Sequence, residues 1–470
     1  MKRILILTGL VLGVVRTAAG SDLLQVYDDA LRFDPQIHAA DATRMANREA
    51  APQALAQLLP QLSATASWSR AYSNFSTQQP YPTTDGSVVN VPLSTSGYTN
   101  QRGYNLQLQQ SLFSWANIAG MKKAHKQVAQ AEADYHAAQE DLIQRVATAY
   151  FNVLSAQDTV DADQAALDAY VQQLEQANTR YDVGLIPITD VKEAQAAHDT
   201  GAAALIDAKR QLASMQQALR EITSQDYPVL SKPGDDMALH APMPADQSAW
   251  VNASMDQNLS LISSRIAADI ARDQVEISRS GHFPTISLTA QRQMTHQDVS
   301  DRQDFFGVES PSIYPVDQTS TQYGLQVTVP IFSGGATQSQ VRQSQYQWIA
   351  ARDKVQQTSR QTEHLARDSY TNIISEIARV NALKQSLVSA QVALQATQAG
   401  YDVGTRTEFE VLQARQNLVS AQTSYAQSRY TYLLDIIALR LAAGTLDRGT
   451  LSEINGLLTA TTPPAPAGAQ

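Results

Sequence analysis

The chain contains a second copy of its own plan. Tyr181-Asp182-Val183-Gly184 recurs as Tyr401-Asp402-Val403-Gly404. The run 106–114, ending Leu112-Phe113-Ser114, recurs at 325–333, ending Ile331-Phe332-Ser333, and Pro60 with the alternating run behind it recurs at Pro284. The three landmarks keep their order at one offset of about 220 residues, far beyond the period of a solenoid unit. A 470-residue chain built this way is two similar halves. Whatever elements the first half forms, the second half must form again.

Hydropathy periods name those elements. From Leu62 the period is two: Leu62, Ala64, Ala66 and Trp68 face one way, and Ser63, Thr65, Ser67 and Ser69 the other. Tyr104, Leu106, Leu108 and Leu112 repeat the pattern, as do Ile286, Leu288, Ala290 and Met294, and then Tyr323, Leu325, Val327 and Val329. These read as four strands of about ten residues, long enough to cross a bilayer when tilted. Residues 73–99 and 295–320, rich in Ser, Thr, Asn and Pro, read as external loops. Residues 116–181 and 336–400 hold no proline and are dominated by good helix formers. Each is expected to form a helix of roughly 100 Å. Val183-Gly184-Leu185-Ile186-Pro187 turns the first into a helix over 189–223, and Tyr401–Gly404 turns the second into a helix over 408–443. Further helices are expected over 22–58, broken at Asp34-Pro35, and over 248–280.

The ends and the composition narrow the class. Lys2 and Arg3, an apolar run to Val15 and small residues to Gly20 spell an export signal at 1–20. The domain plan that follows is a first repeat at 21–230, a linker at 231–247, a second repeat at 248–445, and a C-terminal segment with a disordered tail at 446–470. No cysteine is present, so neither a disulfide framework nor a cysteine-linked lipid anchor is available. A net charge of −10 argues against nucleic acid as a partner. No HExxH, GxSxG or P-loop occurs, and His125, His136, His198 and His364 stand singly on helical stretches, so neither an enzyme nor a metal or cofactor site is expected.

The strand alternation alone fits either a membrane barrel or a soluble sheet with one wet face. If it is a barrel, four strands cannot close it, since about eight is the minimum. Open edges in hydrocarbon leave backbone groups unpaired at several kcal/mol each. Three copies give a twelve-stranded barrel in a cyclic trimer. The long Ala- and Gln-rich helices would then extend it as a water-filled tube, although their composition also suits a coiled-coil adhesin.

Several words of this chain resemble the TolC family of outer membrane efflux ducts over essentially the whole mature length. They are Ala149-Tyr150-Phe151-Asn152-Val153-Leu154, Val183-Gly184-Leu185 with Ile188-Thr189-Asp190-Val191, Tyr401-Asp402-Val403-Gly404-Thr405-Arg406-Thr407, Leu59-Pro60-Gln61-Leu62 and Val329-Pro330-Ile331-Phe332. The resemblance implies an α+β, mostly α, homotrimer, with a twelve-stranded barrel in outer membrane lipid continued by an α-helical barrel across the periplasm. It implies an exit duct for drugs, bile-salt-like amphiphiles or type I secreted proteins, served by an inner-membrane pump of RND or ABC type through a periplasmic adaptor. Residues 224–247 and those after Ala443 would form a girdle.

The resemblance also assigns roles at the periplasmic tip. Asp190 would meet Tyr401, and Thr189 or Asp190 would meet Arg406, forming a latch of partly solvated pairs worth about 1 kcal/mol each. Glu410 stands where the family has an aspartate ring at the constriction. Gln413 replaces a second acidic ring, which should weaken cation block. Val183, Gly184, Leu185, Val403, Gly404 and Thr405 would contact the adaptor. A stand-alone porin is the main rival, since it would conduct without a partner.

Overall fold

A computed structural model describes residues 20–234, 237–305 and 308–459. The leader expected at 1–20, apart from Gly20, and the tail from residue 460 lie outside the described residues.

The chain opens with three short helices: α1 (Leu23–Phe33), α2 (Pro35–Arg48) and α3 (Ala50–Ala56). Asp22 starts α1 by accepting from the Gln25 amide at 2.8 Å. Asp34 ends it in an extended conformation, and Pro35, which has no amide to satisfy, begins α2. Two strands, β1 (Gln61–Pro82) and β2 (Val88–Phe113), lead into α4 (Trp115–Asp182) and α5 (Ile188–Thr223). A two-residue strand, β3 (Lys232–Pro233), precedes α6 (Gln247–Gln257) and α7 (Leu259–Arg279). The second half then repeats the first with β4 (Thr285–Phe305), β5 (Val308–Thr328), α8 (Ala336–Asp402) and α9 (Glu408–Ala443). The chain closes with α10 (Arg448–Asn455) and β6 (Leu458–Thr459). The helix expected over 248–280 is two helices. Asn258 takes an extended conformation, accepts from the Leu261 amide and donates to the Ala442 carbonyl, which holds the break open.

The chain divides into two compact units. One comprises Met45–Gln130 and Ile266–Asp353 and holds an antiparallel sheet in the order β1-β2-β4-β5. The β2–β4 ladder therefore joins the two halves of the duplication. Ala66, Tyr104, Met294 and Thr319 lie in one cross-strand row, and Leu62, Leu108, Ala290 and Tyr323 in another, on a single face. That face is apolar and open: Leu62, Trp68, Tyr104, Tyr323 and Leu325 are all exposed. The other face carries Ser63, Thr65, Gln107, Asn105, Gln291 and Gln322. Among the described residues no strand pairs with the outer edges of β1 and β5.

The strands are 22, 26, 21 and 21 residues long, not about ten. Most of what reads as loop at 73–99 and 295–320 is paired strand. The ladder needs only backbone groups, so it continues where side-chain alternation has stopped. The prolines that suggested loops sit where one side of the backbone needs no partner. Pro80 and Pro82 are on edge strand β1, Pro311 and Pro315 on edge strand β5, and Pro92 on β2 before its pairing with β4 begins at Leu93.

The other unit comprises the described parts of Met1–Arg44, Ala131–Arg265 and Lys354–Gln470. Its core gathers Leu23 and Val26 of α1, Leu142, Tyr150 and Phe151 of α4, Trp250 of α6, Ile373 of α8, Leu433 and Ile437 of α9, and Leu451 of α10. The 149–154 word lies in the middle of it. Tyr150 and Phe151 are fully buried, and Phe151 stacks on Tyr430 at 5.9 Å between ring centroids. The Tyr150 hydroxyl donates to the Ser21 and Ser231 carbonyls at 3.1 and 2.8 Å, fastening the start of the described chain and the linker to α4. Lys232 and Tyr430 both donate to Asp158, each at 2.6 Å. β3 of the linker pairs with β6 of the C-terminal segment.

Candidate gate at the helix-hairpin turns

The two repeated turns end the two longest helices in the same way. The Gly184 amide bonds the Tyr181 carbonyl and the Leu185 amide the Arg180 carbonyl; Gly404 and Thr405 do the same with Tyr401 and Gly400. This is a Schellman closure, and its pivot needs a left-handed residue. Gly184 has φ 75° and Gly404 φ 79°. Val183, Leu185 and Val403 are left as exposed apolar side chains at the tips, with Thr405 beside them donating to the Gly400 carbonyl at 3.0 Å. The restart differs between the copies. Pro187 gives α5 no side-chain cap, whereas Thr407 and Glu410 form a reciprocal capping box on α9.

Glu410 is thus engaged twice. Its carboxylate accepts from the Thr407 amide at 2.8 Å and pairs with Arg406 at 2.6 Å. The Thr407 amide and then the Arg406 guanidinium hold its pKa below the ordinary carboxylate value. Gln413, one turn on, donates to Asn417 at 3.2 Å. On the other hairpin, Thr189 donates to Asp190 at 3.2 Å. Within one chain, among the described residues, no hydrogen bond or ion pair joins Asp190 to Tyr401 or to Arg406.

The link that does cross between the hairpins joins Tyr401 and Asp402 of the repeated motif to Arg180, which no sequence motif singles out. Arg180, near the end of α4, lies 3.8 Å from the Asp402 carboxylate and stacks over the Tyr401 ring at 4.8 Å from its centroid. Tyr401 is 9% exposed, and its hydroxyl faces Glu408, which is 1% exposed. Neither Glu408 oxygen has a well-formed hydrogen bond. Burial, then Glu408, push the Tyr401 pKa up to about 12, against the opposing pull of Arg180. Glu408, Leu412, Arg415 and Val419 follow the spacing of a helix seam. Two charged residues, Glu408 and Arg415, on an otherwise apolar stripe are the signal that could have identified Glu408. Further along, Tyr170 of α4 packs on Leu412 and closely on Gly201, where a Cβ would come within 2.8 Å of the ring. Here α4, α5 and α9 line a groove of about 370 Å³ with Tyr170, Ala197, Gly201, Phe409 and Leu412 in its wall.

Paired helix hairpins of this length and a sheet with one apolar and one polar face place the chain in a mostly helical, internally duplicated α+β class. Comparison with known proteins makes that specific. The outer membrane efflux protein profile matches residues 26–225 and 250–445, one segment per half of the duplication. The chain is 34% identical to outer membrane protein TolC of Escherichia coli K12, over 97% of this chain and 90% of that one. It is 28% identical to the alkaline protease secretion protein AprF of Pseudomonas aeruginosa, over 92% and 86%. Among solved structures, the Campylobacter jejuni CmeC outer membrane channel superposes with a TM-score of 0.70 at 19% identity, covering 93% of this chain and 89% of that one. The chain belongs to the outer membrane efflux protein family. It is an outer membrane protein that extends into the periplasm, and its structural neighbours are channels.

Proposed function

We propose that three copies close one twelve-stranded barrel and one helical tube, forming the exit duct of a drug efflux or type I secretion machine. The observation that carries this is the sheet: four strands with a lipid-compatible face, a wet face and two unpaired edges. A barrel is the one arrangement that leaves no edge in hydrocarbon, and three copies supply the strands for a conducting one. Similarity to AprF, named for protease secretion, and to TolC supports both export roles. The partners are a periplasmic adaptor and an inner-membrane pump of RND or ABC type. The exposed tips Val183, Leu185, Val403 and Thr405, held in shape by Gly184 and Gly404, form the adaptor contact. β3 and β6, paired across the linker and the C-terminal segment, belong to the girdle.

In this reading the tip is latched. Asp190 and Thr189 on one hairpin receive Tyr401 and Arg406 from a neighbouring hairpin once the trimer brings them together, and three Glu410 carboxylates ring the constriction. Opening requires Arg406 to leave its partners. The test is single-channel conductance in planar bilayers. Wild type should conduct weakly, and Tyr401→Phe with Arg406→Ser should conduct several-fold more. A high wild-type conductance that the substitutions leave unchanged would favour a passive porin.

A further inference from the structure

Arg292 lies on the apolar face of the sheet. It stands on β4 between Leu106 of β2 and Thr321 of β5, with Ala290 and Met294 as its neighbours on the same face. It stands six positions on from Ile286, near the helix-linked end of the strand, and two positions before Met294, in the row that Tyr104 shares. The first charged row, Arg102 with His296 and Asp317, lies about 13 Å further out along the strand. A cation inside the apolar band of a barrel is costly there, which marks it for a function.

Of the other cations of this face, Arg302 stands unpaired among the described residues but far out on β4, beyond the charged row, and the rest have partners. Arg102 pairs with Asp298 at 3.0 Å, His296 contacts Asp317 and Asp298 at 2.6 and 3.2 Å, and Arg70 stacks on Tyr98 at 4.5 Å. Arg292 is exposed and has neither a hydrogen bond nor an ion pair among the described residues. Beside it, the small side chains of Ala64 and Ala66 leave a groove of about 370 Å³ walled by Tyr104, Leu106 and Met294. Both β2 and β4 are interior strands. Ala64 and Ala66 lie on edge strand β1, so a second copy pairing there would continue the sheet beside the groove and extend its apolar wall.

We propose that Arg292 and the Ala64–Ala66 groove bind one lipid of the outer leaflet whose phosphate gives it a net negative charge. The charge complement is the lipid phosphate, met by an arginine long enough to lift its guanidinium about one row toward the interface. The apolar complement is an acyl chain laid over the two alanines. The hairpin-turn end of the strands is the outer side, because the helices continue from the other end into the periplasm. The proposal rests on the barrel reading, in that the apolar face must meet lipid.

Native mass spectrometry of the purified full-length protein in detergent tests both levels in one spectrum. The trimer mass reports the barrel assembly, and lipid adducts report the site. With diphosphorylated lipid A as the probe, wild type should hold up to one lipid per chain, and Arg292→Gln should lower retention by about fivefold. Arg292→Lys should keep part of it. Ala64→Leu, which fills the groove and leaves the arginine, should lower it as well. Inorganic phosphate should not displace the lipid, and phosphatidylcholine should bind no better to wild type than to Arg292→Gln. Equal lipid A retention by wild-type and Arg292→Gln trimers overturns the site. So does displacement by free phosphate, or undiminished retention in Ala64→Leu. Absence of a trimer in wild type overturns the barrel reading instead.

Discussion

At the scale of single residues, buried charge sets the properties of this chain. Glu140 on α4 is buried, and desolvation raises its pKa from 4.5 to about 7. Between those values the folded chain keeps a proton that the unfolded chain has lost. The stabilisation is therefore complete below the unfolded value and is lost as pH rises through the folded one. Thermal unfolding of the detergent-solubilised protein should show stability falling over that window, at a slope of up to about 1.4 kcal/mol per pH unit. Glu140→Gln should flatten it. Glu408 shows what sequence can and cannot reveal at this scale. Thr407 and Glu410 form a capping box, a local motif that the sequence analysis did not assign. That Glu408, two residues earlier, turns inward against Tyr401 depends on which face α9 gives to its neighbours. The same holds for Arg180. Its value lies in reaching Asp402 and Tyr401, more than 200 positions away in the chain.

At the scale of elements, the helices were legible and the outer halves of the strands were not. Proline-free stretches of strong helix formers fix α4 and α8 almost to the residue, and the Schellman glycines fix their ends. The inner part of each strand betrays itself by alternation, because one face must be apolar. Past Tyr72 and Tyr98 neither face is required to be apolar, the alternation stops, and polar residues with edge prolines imitate loop. Small breaks held by one side chain, such as Asn258, were also invisible. The 149–154 word, quoted as a family signature, is a fastening in physical terms. Ser21 pairs with Leu230, and the Tyr150 hydroxyl holds the Ser21 and Ser231 carbonyls from below. Tyr150→Phe should cost about 1–2 kcal/mol, since it leaves the buried Ser231 carbonyl short of a donor. Amide exchange should speed up around Ser21 and Ser231 while the amides of β1 and β2 are unaffected. Uniform loss of protection across both units would show that the hydroxyl does more than fasten these segments.

At the scale of the whole molecule, the decisive question is whether β5 of one copy meets β1 of the next. The chain contains no cysteine, so introduced pairs report without background. One cysteine at Ser67 of β1, combined with a second moved residue by residue from Thr321 to Val327 of β5, should in one register give disulfide-linked chains up to three on a non-reducing gel. A ladder that stops at two would mean a dimer, and no cross-linking in any register would remove the closed barrel. The duplication already contains the pattern for such a join, because β2 and β4 meet inside the chain as β5 and β1 are proposed to meet between chains. The long outer hairpins have a different consequence. Their ladders are held mainly by main-chain bonds, with local side-chain pairs such as Asp85 with Ser87 at the turn and Tyr72 with Tyr98, so most of their exposed side chains contribute little to stability. In the proposed barrel these hairpins form the outer rim, which makes the rim the part of the molecule whose chemistry is freest to change while the apolar rows beneath it stay fixed.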